Sequence, residues 1–262
     1  MRTSIDDTSD VSKKRPPFSL IQDGEDFAVF NKSSGIAVTG DRWDPALERL
    51  DKLAAVFLDL KKVFTVHRID RDTSGLVLFA KTAEAHKRFS AAFEGRLVKK
   101  RYVVVVKGRP SWKETECDLR LVPNGNKLHH TIIDKYRGKP SLTRFRLLGS
   151  AGNYSVLFAF PETGRTHQIR VHLSALGHSV VCDEIYGNTK PVLLSSFKRA
   201  WRGDPLEERP LLSRLGLHAA ELGFPAACFE SGEELSLTAP LPRDMAALIK
   251  QMEKATGEGK FV

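Results

Sequence analysis

Between Tyr102 and Phe160 the chain is a succession of short runs in which every second residue is apolar or β-branched, and this pattern limits the fold more than any other feature. Tyr102-Val103-Val104-Val105-Val106 is closed by Gly108 and Pro110 and reads as a buried strand. Leu119/Leu121, Thr143/Phe145/Leu147 and Tyr154/Val156/Phe158/Phe160 each keep the period of two expected of half-covered strands. Gly149 to Asn153 supplies a hairpin-type turn between the last two. Upstream, Phe27-Ala28-Val29-Phe30 is a short buried strand, followed by a Lys32-Ser33-Ser34-Gly35 turn and a second short run, Ile36-Ala37-Val38. Downstream, Leu217-His218-Ala219, Leu222-Gly223-Phe224 and Leu235-Ser236-Leu237-Thr238 return to the sheet.

Helices punctuate the strands. Asp44-Pro45 is a helix start with Leu47, Leu50, Ala54, Phe57 and Leu58 on one face. Thr82 caps a second helix whose Ala85, Phe89, Ala92 and Phe93 point inward. A third runs from Thr166, with a stripe at Ile169, Leu173 and Leu176 and a stop at Gly177. A closing helix after Pro242-Arg243-Asp244 carries Met245, Leu248, Ile249 and Met252. Strands outnumber helices and have hairpin-length links. The fold class expected is therefore α/β of the α+β type, a single domain over residues 18–262 with a mixed, mostly antiparallel central sheet flanked by helices and loops. Residues 1–17, polar and ending in Pro16-Pro17, are expected to be a mobile tail. Residues 190–214, rich in Lys, Arg, Pro and Ser, are expected to be a basic inserted loop with a short helix around Leu194 to Trp201.

Charge narrows the function. Forty-one Lys and Arg against 32 Asp and Glu leave +9, which favours a polyanionic partner such as nucleic acid over a membrane surface. No run of 18 apolar residues exists, and the polar, acidic N-terminus is unlike a targeting peptide, so a cytoplasmic protein is expected. Cys117, Cys182 and Cys228 are far apart and form no CxxC, and the eight histidines lack metal-ligand spacing. They imply no metal site, and the cysteines read as packing residues.

Chemistry concentrates in Val66-His67-Arg68-Ile69-Asp70-Arg71-Asp72-Thr73-Ser74-Gly75-Leu76, where two Asp, two Arg and a His precede the apolar run Leu76 to Ala80. A carboxylate at a sheet edge among cations is favoured in its ionised form and can serve as a nucleophile. A kinase loop is excluded, because Ile69 interrupts H-R-D and no Gly-rich loop or D-F-G occurs. G-x-S-x-G, a Walker loop and a dinucleotide fingerprint are also missing. Asp70 and Asp72 are poorly spaced for a glycosidase pair, and a basic surface does not suit a neutral sugar.

His67 to Gly75 resembles the H-R-L-D-x-x-T-S-G signature of the RluA-type RNA pseudouridine synthases, and Glu162-Thr163-Gly164-Arg165-Thr166-His167-Gln168-Ile169-Arg170-Val171-His172-Leu173 resembles their second long motif. Lys100-Arg101-Tyr102 is similar to the intervening K-x-Y, and Leu217-His218-Ala219 and Ala239-Pro240-Leu241-Pro242 to later landmarks. Departures are Ile69 for Leu, Asn31-Lys32-Ser33 for N-K-P, and Cys182-Asp183-Glu184-Ile185-Tyr186 for G-D-P-L-Y, none at a residue assigned here to chemistry. The resemblance implies a pseudouridine synthase fold and isomerisation of specific uridines in structured ribosomal or transfer RNA without cofactor or metal. It implies that Asp70 is the catalytic carboxylate, that Tyr102 packs on the target base, that Arg170 pairs with Asp70, and that Arg68 enters the gap left by the flipped uridine. Arg71, Arg165 and His167 are taken as further RNA-binding residues. The partners expected are RNA alone, with no membrane, no small-molecule cofactor and a monomeric chain. The competing reading is a non-catalytic RNA-binding or RNA-remodelling protein on the same scaffold.

Overall fold

In a computed structural model, which describes residues 16–40, 48–229, 232–257 and 259–262, the valine-rich run lies in a strand buried on both faces. In chain order the elements are β1 (Phe18–Asp23), β2 (Phe27–Lys32), α1 (Leu50–Phe57), β3 (Phe64–Thr65), β4 (Ser74–Ala80), α2 (Ala83–Glu94), β5 (Lys99–Lys107) and β6 (Glu114–Asp118). They continue with β7 (Leu121–Val122), β8 (Ile132–Ile133), β9 (Leu142–Ala151), β10 (Tyr154–Pro161), α3 (Gln168–Ala175), β11 (Leu217–Phe224), β12 (Leu235–Thr238) and α4 (Arg243–Thr256). One mixed sheet takes the order β1-β2-β4-β11-β5-β10-β9-β6, with β3 on β4 and β12 on β11, while β7 and β8 pair separately. Every pairing among the described strands of the large sheet is antiparallel except β11 with β4.

Alternation along β5 divides its valines between two cores. Val104 and Val106 meet Leu157 of β10 and Ile169 and Leu173 of α3 on one face, while Val103 and Val105 meet Val156 and the α4 residues Met245, Leu248, Ile249 and Met252 on the other. At the β2–β4 end, α2 places Phe89 edge-to-face on Phe27 and Phe224, and α1 covers Phe30 and Phe79 from the opposite side with Leu50 and Ala54. Helices on both faces explain why Val77 to Ala80 and Val103 to Val106 are runs rather than alternations.

Several sequence expectations are revised. The β10 run is half-covered only from Phe158 onward, since Val156 and Leu157 are both buried between α3 and α4. Ile36 to Val38 forms no strand and contributes a single bridge, Ala37 to Arg49. Leu119 falls in a break between β6 and β7. The third helix begins at Gln168, because His167 adopts a left-handed cap (φ 54°). The helix expected around Leu194 to Trp201 is one 3-10 turn, Leu194–Ser196. The Asp44-Pro45 start and residues 1–15 of the tail lie outside the described residues.

The parallel β4–β11 pair sets the site. Ser74 faces His218 and Gly75 faces Ala219, while Ala219 also faces Tyr102 of β5. Gly75 has φ 116°, and a β-carbon there would collide with the Ala219 backbone, so only glycine permits this approach. The segment preceding β4 is thereby delivered beside Tyr102 at mid-sheet.

Candidate active site

The loop from His67 to Thr73 is fixed from below. Thr73 N–H donates to the Asp70 carbonyl, Gly35 N–H to the Arg71 carbonyl, and the Ser34 hydroxyl to the Asp72 carbonyl. Lys32, 1% exposed, points its ammonium at three carbonyls, those of Ser33, Ile36 and Arg71, at 2.8–2.9 Å. Burial pushes its pKa down to about 7, against the pull of Asp72 and Asp70. His67 holds the other end: its Nε2 accepts from Leu78 N–H at 3.0 Å while its ring stacks on Phe93. Burial, with the charge of Lys100, pushes His67 down to about 3, so the ring is a neutral strut.

The second motif supplies a rigid counterpart. Thr163 Oγ1 accepts from Leu142 N–H and donates to Gln168 Oε1, which also accepts from Arg165 N–H. Gln168 Nε2 donates to the Leu142 carbonyl and to Thr143 Oγ1. Thr143 in turn lies 3.0 Å from His172 Nδ1, and His172 Nε2 lies 3.2 Å from Ser141, whose hydroxyl donates to the Leu119 carbonyl. Read from that end, each proton has one place: His172 donates from Nε2 and accepts at Nδ1. A fully satisfied buried network of this kind is rigid. It locks the start of α3 to β9, and it explains why the motif carries Thr163 and Gln168 at the cleft edge and His172 behind them.

Arg170, the third residue of α3, is 4% exposed and reaches two carboxylates. Its Nε and Nη2 grip Asp183 in a two-pronged pair at 2.8 Å each, and Nη1 donates to Asp70 Oδ2 at 3.3 Å. Burial opposes the guanidinium charge, yet the bonds and charge of Asp183, then Asp70, hold it protonated beyond its ordinary range. Burial likewise opposes a charged Asp183, but Arg170 holds that carboxyl low. Asp183 also accepts from the N–H groups of Ile185 and Tyr186. The Tyr186 ring carries the Arg170 guanidinium 5.2 Å from its centroid, and its hydroxyl accepts from Thr131 N–H and sits 2.9 Å from His167 Nδ1. His167 Nε2 is 4.0 Å from Asp70 Oδ1, and burial keeps its pKa low despite Asp70. With the Tyr186 proton donated to Nδ1, the neutral ring presents Nε2–H toward Asp70.

These parts surround a cleft of about 460 Å³, a volume within the usual range for ligand pockets. Asp70, Tyr102, Arg170, Arg68, Arg165 and His167 all line it. Arg71 does not: it is exposed, with its side chain 3.4 Å from neighbouring Asp72 and its carbonyl spent on Lys32 and Gly35. The Arg68 side chain has no hydrogen bond or ion pair among the described residues, and the Arg165 guanidinium donates only to the Pro140 carbonyl at 3.3 Å. Burial, then the charge of Asp70, holds the Tyr102 phenol well above its usual range, so the ring is a neutral platform. Sequence reasoning missed Lys32, Asp183 and Tyr186. The dipeptide Asn31-Lys32 and the Asp and Tyr of Cys182 to Tyr186 were the available signals, and these two segments contact the candidate site after all, through the loop that carries Asp70 and through Arg170.

A family model described as RNA pseudouridylate synthase matches residues 26–175, more than half of the chain. The chain belongs to that family. It is 32% identical to the ribosomal large subunit pseudouridine synthase D of Zymomonas mobilis over 94% of this chain and 78% of that one. It is 34% identical to the ribosomal large subunit pseudouridine synthase C of Vibrio cholerae over 90% of this chain and 70% of that one. Among solved structures, human RNA pseudouridylate synthase domain containing 1 superposes with a TM-score of 0.65 at 28% identity, covering 88% of this chain and 87% of that one. Members of the family isomerise uridine to pseudouridine in RNA, and the mixed sheet expected from the sequence is the fold they share.

Proposed function

We propose that this protein converts uridines of large-subunit ribosomal RNA to pseudouridine, with Asp70 as the reacting carboxylate. The observation that carries this reading is the placement of Asp70: it is the carboxylate held by Arg170 in a cleft floored by Tyr102, with its side chain 23% exposed and therefore reachable. The names of the relatives above support ribosomal RNA as the substrate.

The reaction breaks the bond from N1 of uracil to ribose, turns the base and rejoins it through C5, with the displaced C5 proton lost and N1 regaining one. Atoms balance without a co-reactant. A stacked base cannot reach Asp70, so the nucleotide is extruded at a cost of a few kcal/mol, offset by contact with the Tyr102 ring and by Arg68 filling the vacated stack. Asp70 serves either by attack on the sugar, by addition to the base or by removing a ribose proton, and all three need one carboxylate fixed to within about 1 Å. Arg170 and His167 Nε2 supply that fixation from two directions. The chain works in the cytoplasm, a reading supported by its three free, buried cysteines, which suit a reducing compartment.

Asp70→Asn keeps the shape and loses the charge, while Asp70→Glu keeps the charge and advances it by about 1.5 Å, enough to cost a hundredfold or more. Both are expected to lose pseudouridine formation on total RNA from a strain lacking the gene, yet to retain RNA binding, which rests on cations. Appreciable turnover by Asp70→Asn removes Asp70 from the reaction, whereas RNA binding with no product from the wild type leaves the non-catalytic RNA-binding reading in its place.

A further inference from the structure

Helix α2 ends in a way that its sequence does not favour. Arg96 N–H bonds to the Phe93 carbonyl and Leu97 N–H to the Ala92 carbonyl, the paired closure in which the residue after the cap takes a left-handed conformation. Glycine is the usual occupant. Here Gly95 precedes that position with an ordinary φ of −72°, and Arg96 occupies it with φ 59°. An L side chain in this conformation is strained, and strain of this sort is retained where the side chain has a use.

That side chain lines the catalytic cleft and makes no hydrogen bond or ion pair among the described residues. Lys100, the second residue of strand β5, lines the same cleft, and its ammonium finds only the Thr163 carbonyl at 3.5 Å. The acids nearby do not neutralise the two cations. Glu162 is taken by Arg144 at 2.7 Å, and Glu94 bonds to neither Arg96 nor Lys100. Burial, then the charge of Arg96, pushes Lys100 down to about 8 while Glu162 pulls the other way, so the pair lacks a counter-ion.

We propose that Arg96 and Lys100 form a phosphate-binding site on the wall of the catalytic cleft, which takes a backbone phosphate of the RNA beside the nucleotide presented to Asp70. The proposal rests on the reading that this cleft receives RNA. A phosphate there supplies the missing counter-ion to both groups and fixes the strand relative to the loop that carries Asp70.

The test uses the full chain with protein-free, unmodified large-subunit ribosomal RNA, titrated between about 0.05 and 0.5 M salt. Arg96→Gly is expected to raise Tm by about 2–4 °C, because strain is relieved, while flattening the slope of log affinity against log salt by about 0.7–0.9 and weakening binding about fivefold near 0.1 M. Lys100→Gln and Arg96→Gln flatten the slope equally without the gain in Tm, and they carry the test should the glycine variant fold poorly. Lys254→Gln, on exposed α4 surface away from the cleft lining, removes the same charge and leaves the slope unchanged. Wild-type slopes in the Arg96 and Lys100 variants, or an equal loss in Lys254→Gln, overturn the site. The two readings fail separately: a wild-type protein that binds with these slopes but forms no pseudouridine loses its catalytic assignment and keeps the phosphate site. A protein that forms pseudouridine while its variants bind like the wild type loses only the site.

Discussion

Arg170 shows how one side chain divides structure from chemistry. Its two short bonds go to Asp183, which is fully buried, and its single longer bond to Asp70, which is partly exposed. Removing one partner of a buried pair costs about 3–5 kcal/mol, because the remaining charge is left without compensation, whereas a partly hydrated pair is worth about 1 kcal/mol or less. Arg170→Ala should therefore lose several kcal/mol in urea unfolding together with its turnover. Asp70→Ala should lose turnover and almost no stability. Equal losses in the two variants would make Asp70 the structural partner and contradict the geometry. Asp183→Asn separates the roles further, since the guanidinium keeps its charge and Asp70 but loses the fork that orients it, and pseudouridine formation should fall while RNA affinity holds.

At the level of elements, the basic segment from Lys190 to Arg214 is better anchored than its composition suggests. A Val192–Leu212 bridge closes it, Phe197 is buried against Tyr154 and over Gly152, Glu208 accepts from Ser195 N–H, and Arg214 is held by Asp244 through two bonds of 2.7 Å. Arg214 is thus spent within the fold, and any hold on RNA falls to exposed cations such as Lys198, Arg199 and Arg202. Replacing those three with Ser should flatten the salt dependence of RNA binding by about 0.7 per lost contact; an unchanged slope returns the segment to a plain surface loop. The helices α2 and α4 and the pairing of β9 with β10 were legible because capping and period-two patterning are local. The Phe197 anchorage was not, since it depends on a notch at Gly152 some 45 residues away in the chain. For the same reason Asp70, Tyr102 and Arg170 could be singled out as cleft residues from their motifs, whereas Asp183 and Lys32 could not: their contacts exist only once the β4–β11 pair and the start of α3 have met.

For the molecule as a whole, the polar network that locks α3 to the sheet carries a pH liability. His172 and His218 are fully buried, and each is pushed down to about 4 chiefly by burial. His172 must accept a hydrogen bond from the Thr143 hydroxyl at Nδ1, and His218 Nδ1 sits 3.0 Å from Ser74, beside the Gly75 approach. In the unfolded chain both rings bind a proton near pH 6.5, but in the folded chain neither does until about pH 4. Across that interval the unfolded chain holds more protons, so acid favours unfolding: the stability present above pH 6.5 is lost as pH falls toward 4, at up to about 1.4 kcal/mol per pH unit for each ring. Rising positive charge on a +9 protein acts in the same direction, so the histidine contribution has to be isolated by substitution. Urea unfolding at pH 7, 6 and 5 should show a steep decline for the wild type and a shallower one for His172→Asn, which is less stable at pH 7 but has one fewer proton to gain. Parallel pH profiles for the two proteins would mean that His172 is not held neutral, and that the hydrogen-bond order traced from Leu142 to Leu119 is wrong at its centre.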